Sequence, residues 1–372
     1  MPTSVLFAIP ALDKAGPDRV FFELLRGLDR RRFTPQLVVS QPDGYYLSRL
    51  PPDVVIHRLG RETSTASRYP VVALARLVRR LRPAAVLATL RMAMTAGLAR
   101  PVFPRATKLI SRPANYLTGN RGELIRGAPI RHRVSFEVYR FALARADHLI
   151  CQGEDLARDV AAVGLTGPST IIGNPIDLDE VDRLAAAPPA PAALRGSPAL
   201  LAVGRLARQK GFDLLIAAFA RLAATAPAAH LSIVGTGPDE AALRRQCAEL
   251  GVECRVTFHG FVENPYPLMR AADLYVLSSR YEGFPNVALE SLACGTPVVA
   301  AACPGVAGLV LPGVNGWLAP PDDVDGLAAA LARAVRTAGE LSPEAIRGSV
   351  RDRFSAAKIL ERYEQTIAAV VA

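Results

Sequence analysis

"ALLAVGRLARQKGFDLLIAAFARLAATAPAAHLSIVGTGP", residues 199–238, decides the fold. It opens on the apolar run ALLAV, too short for a globular helix. A polar loop follows, carrying Arg205 and Lys210, and then apolar residues recur at helical spacing from Phe212. A second apolar run, HLSIV, ends at Gly235-Thr236-Gly237. Strand, helix and strand, with both strands apolar on every side, read as a parallel unit covered on both faces.

The same alternation continues in both directions. Upstream, SVLFAIPAL, TPQLVVSQ, AAVLAT, TKLISRP, ADHLICQG and PSTIIGNP read as strands. DRVFFELLRGLDR and VVALARLVRRLRP, the latter stopped by Pro83, read as helices between them. Downstream, CRVTFHGF, LYVLSS, TPVVAAA and NGWLAP extend the series, and AAKILERYEQTIAAVVA is a strong terminal helix. The predicted class is α/β, with two Rossmann-like, doubly wound domains. RLAAAPPAPAALRGSP, residues 183–198, is rich in Ala and Pro and weakly periodic, so it is taken as the interdomain region. That gives an amino-terminal domain over 1–182 and a carboxyl-terminal domain over 199–354.

The 372 residues suffice for two domains of ordinary size, and 50% hydrophobic content can fill both cores. No apolar run reaches the roughly 18–20 residues of a membrane span. MPTSVLFAIPAL lacks a basic leader and a small-residue cleavage site, and reads as a first strand. Five scattered cysteines are expected as free thiols in a reducing cytoplasm. The net charge of +10 is one-sided: residues 1–180 hold 26 Lys+Arg against 16 Asp+Glu, residues 181–372 hold 18 of each. Such a surface suits an anionic partner such as an acidic membrane, a lipid phosphate or nucleic acid, or it serves solubility alone. Few aromatics and no RNA- or DNA-binding motif argue against nucleic acid. NRGELIRGAPIRHRVSFEVYRFALARADHLI, residues 120–150, is either an interfacial helix touching acidic lipid or an exposed helix on the first sheet.

Three loops at strand ends of the second half could form one site. Arg205 and Lys210 follow a strand end at Gly204 and precede a helix start near Gly211–Asp213, a place where a diphosphate can bind. Gly235 and Gly237 allow a close backbone approach, although a third glycine of a dinucleotide fingerprint is missing. In RYEGFPNVALESLACGTPVVA, Glu282 sits in a turn and Glu290 in the helix after it, with Asn286 as the expected N-cap. Carboxylates accept hydrogen bonds from vicinal hydroxyls, and Glu290 is costly in so apolar a helix unless satisfied. Asp-Leu-Asp at 177–179 matches a metal pattern but stands at a helix start, where capping is the simpler reading. His230, His259 and Trp317 read as structural.

The succession VGRLARQKGFDLLIAAF, SIVGTGP, FHGF, SSRYEGFPNVALESLACGTPVVA and GVNGWLAPPDD resembles the carboxyl-terminal domain of the group 1, family 4 retaining glycosyltransferases of GT-B fold. Glu282 and Glu290, separated by seven residues, match that family's hallmark. GNPID at 173–177 and AGPDRVFFELLRGL at 15–28 extend the likeness into the first half, where Ala15 replaces an often-seen first glycine. The resemblance implies two domains facing across a cleft, with the terminal helix, about 355–372, returning to the first.

It implies that Arg205, Lys210 and Glu282 act at the reaction centre and that Glu290 holds ribose hydroxyls. Gly16, Gly204, Gly235, Gly237, Phe284, Asn286 and Val287 would line the donor. The stretch matching the family's reaction-centre histidine is LISRPANYL, which offers Arg112 and Asn115 but no histidine. A nucleoside-diphosphate sugar, UDP-linked by preference, would be substrate and a glycan or lipid-linked molecule the acceptor. No cofactor, no metal and no nucleic acid is expected. The free thiols point to a cytoplasmic location, and the basic first half leaves open a peripheral place at the inner membrane face. A sugar-nucleotide epimerase or a phosphorylase of the same fold is the enzymatic alternative, and a basic nucleic-acid binder the non-enzymatic one.

Overall fold

In the computed structural model, residues 2–13, 16–41, 43–59, 70–114, 116–118, 129–188, 194–306 and 308–372 are described. The chain divides into two compact units, Met1–Pro175 with Ala356–Ala372, and Ile176–Ser355.

The first unit is built on strands β1 (Thr3–Ile9), β2 (Phe33–Val39), β3 (Val55–Arg58), β4 (Ala85–Thr89), β5 (Lys108–Arg112), β6 (His148–Cys151) and β7 (Ser169–Ile171). They form one parallel sheet in the order β3-β2-β1-β4-β5-β6-β7. Its helices are α1 (Gly16–Gly27), α2 (Val71–Leu81), α3 (Leu90–Ala99), α4 (Pro129–Leu143) and α5 (Glu154–Ala162). Successive residues of β1 serve opposite cores: Leu6 and Ala8 face one cluster, Val5, Phe7 and Ile9 the other. Burial on both faces is why the strand carries no polar alternation.

The second unit begins with α6 (Leu178–Ala185), then β8 (Ala199–Val203), α7 (Phe212–Thr225), β9 (His230–Val234), α8 (Glu240–Glu249) and β10 (Val256–Gly260). α9 (Tyr266–Ala271), β11 (Leu274–Leu277), α10 (Asn286–Ala293), β12 (Val298–Ala301), β13 (Gly316–Ala319), α11 (Val324–Thr337) and α12 (Pro343–Phe354) complete it. Its six-stranded sheet is also parallel, ordered β10-β9-β8-β11-β12-β13. Leu200 and Ala202 enter one core and Leu201 the other. The order reverses direction between β8 and β11, the place where ligands bind beyond the strand ends in open α/β sheets.

The division at Pro175 and Ile176 lies upstream of the expected interdomain region at 183–198. The cause is α6, whose Val181 and Ala185 are buried in the second unit's core. Asp177 caps that helix, its Oδ1 accepting from the Glu180 amide at 3.1 Å, so the Asp-Leu-Asp string serves a helix start. The final helix, α13 (Ala356–Val371), belongs to the first unit. Its Ile359, Tyr363 and Ile367, spaced four apart, pack into the core of that unit. Glu364 on the same helix accepts from the Asp29 amide and from Arg32 Nη1, each at 2.8 Å.

All five cysteines are free, and only Cys254 is exposed. Burial pushes the thiols of Cys151 and Cys247 up to about 11 and that of Cys294 up to about 12. Among the described residues, no helix is long and apolar enough to cross a membrane.

Candidate functional site

The loop after β8 turns sharply at Gly211, which adopts φ 63° and precedes α7. A Cβ there would collide with the Ser278 carbonyl oxygen, so the position combines a left-handed backbone with a close approach. The Ser278 hydroxyl donates to the Lys210 carbonyl at 2.9 Å, and the Arg280 amide donates to the Gln209 carbonyl at 2.8 Å. Gln209 in turn donates to the Tyr281 carbonyl at 3.0 Å. These bonds stitch the loop after β8 to the loop after β11 at the reversal of strand order.

Lys210 and Glu282 meet on that seam. Lys210 Nζ donates to Glu282 Oε1 at 2.7 Å, and Ser279 Oγ donates to the same oxygen at 2.6 Å. The Glu282 side chain is 7% exposed and that of Lys210 21%, so the ammonium keeps a wet edge while the carboxylate does not. The methylenes of Lys210 lie over Gly204. Arg205 is exposed, and among the described residues its guanidinium has no hydrogen bond or ion pair. The site therefore presents one paired cation and one unpaired cation beyond the same strand end.

The charges of Glu282 and Glu290 both act on the buried phenol of Tyr275. Burial raises the Tyr275 phenol well above its usual value, its hydrogen bond to the Val203 carbonyl opposes this, and the charges of both glutamates add to the rise. Glu290 lies on α10, whose expected N-cap requires a correction. Pro285 occupies the cap position and makes no side-chain cap bond, while Asn286 is the first helical residue. The Asn286 amide donates to the Phe284 carbonyl at 3.0 Å, which leaves the Val287 amide without an acceptor among the described residues. The Phe284 ring meets Phe354 edge-on at 5.5 Å between centroids and packs on the core.

The glycines of the Gly-Thr-Gly turn hold the site from below. A Cβ on Gly235 would strike the Gly204 carbonyl, and one on Gly237 the Leu206 carbonyl. Both therefore let the turn after β9 lie against the turn after β8, and the Leu206 amide seals the contact with the Thr236 carbonyl at 2.9 Å. Gly305, after β12, packs the same way against the backbone of Glu282, whose amide donates to the Pro304 carbonyl at 3.0 Å.

Two residues not foreseen from the sequence complete the frame. Ser279 is the second donor on Glu282. Arg280 clamps the two loops, reaching Asp213 at 2.7 and 2.8 Å, Asp322 at 3.0 Å and the Arg208 carbonyl at 2.8 Å. Hydrogen bonding to Asp213 raises the Arg280 guanidinium further. Burial pushes the Asp213 carboxyl up, but the bonds and charge of Arg280 outweigh it, and the net shift is downward. Two adjacent serines followed by arginine at a strand end, "SSRYEG", were the available signal.

In the first unit, Gly16 opens α1. Arg112 stands at the end of β5 but is 1% exposed. Its Nε donates to the Tyr363 hydroxyl at 3.0 Å and its Nη2 to Asn174 Oδ1. It ties α13 to the Gly-Asn-Pro segment and offers no surface to an acceptor, which corrects its expected place at a reaction centre. Asn115 lies outside the described residues. Among the described residues, no three His, Cys, Asp or Glu side chains gather as they would for a metal ion.

Comparison with known proteins agrees with this geometry. The description "Glycosyltransferase Family 4" matches residues 15–180, and "Glycosyl transferases group 1" matches residues 197–337. The lipopolysaccharide core biosynthesis glycosyltransferase LpsE of Rhizobium meliloti is 32% identical over 227 residues, 60% of this chain and 64% of that protein. The mannosylfructose-phosphate synthase of Agrobacterium fabrum is 41% identical over 138 residues, 34% of this chain and 30% of its own. The aligned stretch thus spans less than two thirds of each of these relatives.

Among solved structures, the lipopolysaccharide outer core galactosyltransferase WaaB in its apo form superposes with a TM-score of 0.75 at 18% identity, covering 99% of both chains. Anabaena Alr3699/HepE in complex with UDP gives 0.76 at 21%, covering 99% of this chain and 100% of that one. At such identities the likeness speaks for the fold, and the fold is GT-B. With one family description on each unit and that fold throughout, the chain belongs to the group 1, family 4 glycosyltransferases.

Proposed function

We propose that the chain transfers a sugar, with retention of configuration and without a metal ion or other cofactor, from a nucleoside-diphosphate sugar to a glycan or lipid-linked acceptor. UDP is the favoured nucleotide, and cell-surface polysaccharide, lipopolysaccharide or glycolipid synthesis is the setting. The observation that carries the reading is the Lys210–Glu282 pair, held at 2.7 Å where the strand order reverses, with the unpaired Arg205 on the same loop. Glycosyl transfer expels a nucleoside diphosphate, and cations fixed where that charge develops lower the barrier most. Lys210 and Arg205 supply such charge without a metal. Glu282 steers Lys210 and accepts from sugar hydroxyls, Glu290 accepts from ribose hydroxyls, and the Val287 amide donates to the donor.

The relatives give context. LpsE and LpsD of Rhizobium meliloti are described as lipopolysaccharide core glycosyltransferases, and Anabaena Alr3699/HepE was solved with UDP and with UDP-glucose. A lipid-linked acceptor would bring the chain to a membrane face. The exposed Val134 and Phe141 of α4, at 59% and 52%, with Arg145 stacked over Phe141, suit peripheral contact with acidic lipid.

The test is a donor panel. UDP- and GDP-sugars are incubated with acceptor lipid from a lipopolysaccharide-deficient strain, and nuclear magnetic resonance reads the anomeric configuration of the product. Transfer from a UDP-sugar in the presence of chelator, with the donor's configuration kept, supports the proposal. Inversion, a metal requirement or no transfer from any sugar nucleotide overturns the corresponding part.

A further inference from the structure

The first unit contains a second cationic site, remote in sequence from the donor loops. Arg79 lies in the last turn of α2, Arg82 follows at its carboxyl-terminal cap, and Arg105 stands in the loop before β5. All three line a cavity of about 590 Å³ together with Val102, Phe103 and Thr107. Among the described residues none of the three guanidinium groups has a hydrogen bond or an ion pair. Arg79 also faces the partial negative charge of the helix end, which accounts for one cation there. It does not account for Arg105, which reaches the cavity from another loop.

The backbone at the cavity is strained. Arg82 has φ 48° and ψ 51°, the left-handed region, and Pro83 follows it. Residues other than glycine rarely take that conformation, and the residue before proline is steered towards extended backbone. The conformation is held from beneath: Thr107 Oγ1 donates to the Pro83 carbonyl at 2.7 Å, and the Thr107 amide to the Pro104 carbonyl at 3.0 Å. The same residue ends α2, its amide donating to the Val78 carbonyl at 2.8 Å, so the helix stop fixes Arg82 at the cavity's edge.

We propose that this cavity binds a phosphate group, carried by a phospholipid headgroup or by a soluble phosphate. Guanidinium groups match phosphate oxygens in geometry and charge, and three of them border this one cavity. The cavity lies at the amino-terminal ends of β4 and β5, opposite the strand ends that carry donor sites in this fold class. The inference stands apart from the transferase reading, and its test reads binding alone.

Thermal unfolding is followed in 20 mM phosphate against chloride at equal ionic strength, for the wild type, R79Q/R105Q and K210M. For a site of about millimolar affinity, the expected phosphate shift is about 3–6 °C. It persists in K210M, which lacks the donor-site cation, and is lost in R79Q/R105Q. R82G, which relieves the strain, is expected to lose part of the shift without a lower melting point in chloride, so a folding defect is distinguished from a binding defect. Sedimentation with phosphatidylglycerol vesicles separates the sources: loss of vesicle binding in R79Q/R105Q identifies a headgroup, unchanged vesicle binding a soluble phosphate. Equal melting points in phosphate and chloride, or a phosphate shift equal in R79Q/R105Q and wild type, overturn the proposal.

Discussion

Replacing Lys210 with methionine tests the seam between the loops after β8 and β11. Methionine keeps an apolar stem over Gly204 and removes the ammonium. Glu282 then retains Ser279 Oγ at 2.6 Å and loses Lys210 Nζ at 2.7 Å, with 7% of its side chain in water. Losing a charged hydrogen bond costs about 1.5–3 kcal/mol, and breaking a fully buried ion pair about 3–5. Because 21% of the Lys210 side chain meets solvent, screening places the expectation near the lower figures, about 2 kcal/mol. In a unit of this size that corresponds to a melting-point drop of about 4–8 °C. Scanning calorimetry of K210M, E282Q and the double variant measures it. The double variant buries no charge and should recover about 1–2 kcal/mol relative to the sum of the single changes. Transfer should stay at least about 100-fold down in all three: K210M and the double variant lack the cation, and E282Q lacks the carboxylate that holds it and accepts from the sugar. Strict additivity together with near-normal turnover in K210M would refute the reasoning.

Other consequences follow from single contacts. Gly211→Ala puts a Cβ against the Ser278 carbonyl at a left-handed residue and should cost at least about 2 kcal/mol, read as a lower melting point. Arg280→Gln releases Asp213 and Asp322, and should raise the KM for the donor more than it lowers kcat. Asp213 is held below its usual range in the folded state, so its contribution is complete above its unfolded value of about 3.9 and fades as pH falls through the lower folded value. R280Q should lose that part of the acid sensitivity. Burial lowers His57, His148, His230 and His259, which makes the neutral ring the folded form. Their share of stability is complete above an unfolded value of about 6.5 and declines below it, so the melting point should fall from pH 7 to pH 5. Ellman's reagent should modify one thiol, Cys254, rapidly in the native protein and the buried four only on unfolding.

The strands were legible because each is buried on both faces, leaving apolar runs such as VLFAI and LLAV that no surface element tolerates. Lys210 and Glu282 were legible as candidates, but not as partners, since 72 residues separate them and only the sheet order joins their loops. Ser279 and Arg280 were missed because their work is to position other groups, which ordinary serine and arginine do without any local pattern. Gly235 and Gly237 were found for one reason and serve another: a glycine permits close approach by a ligand or by a neighbouring loop, and sequence does not distinguish the two. Arg112 misled because arginine is rarely buried, and its partners Tyr363 and Asn174 lie 251 and 62 residues away. The interdomain region misled because Ala and Pro disguise the end of α6, whose Val181 and Ala185 are already core.

The central claim is that Arg205, Lys210, Glu282 and Glu290 surround one sugar joined to a nucleoside diphosphate. A crystal structure with an intact UDP-sugar tests it most directly. The account predicts diphosphate oxygens within about 3.2 Å of Lys210 Nζ and of the Arg205 guanidinium, ribose hydroxyls on Glu290 and sugar hydroxyls on Glu282. A nucleotide bound elsewhere, with the Lys210–Glu282 pair unchanged and Arg205 in solvent, would contradict it.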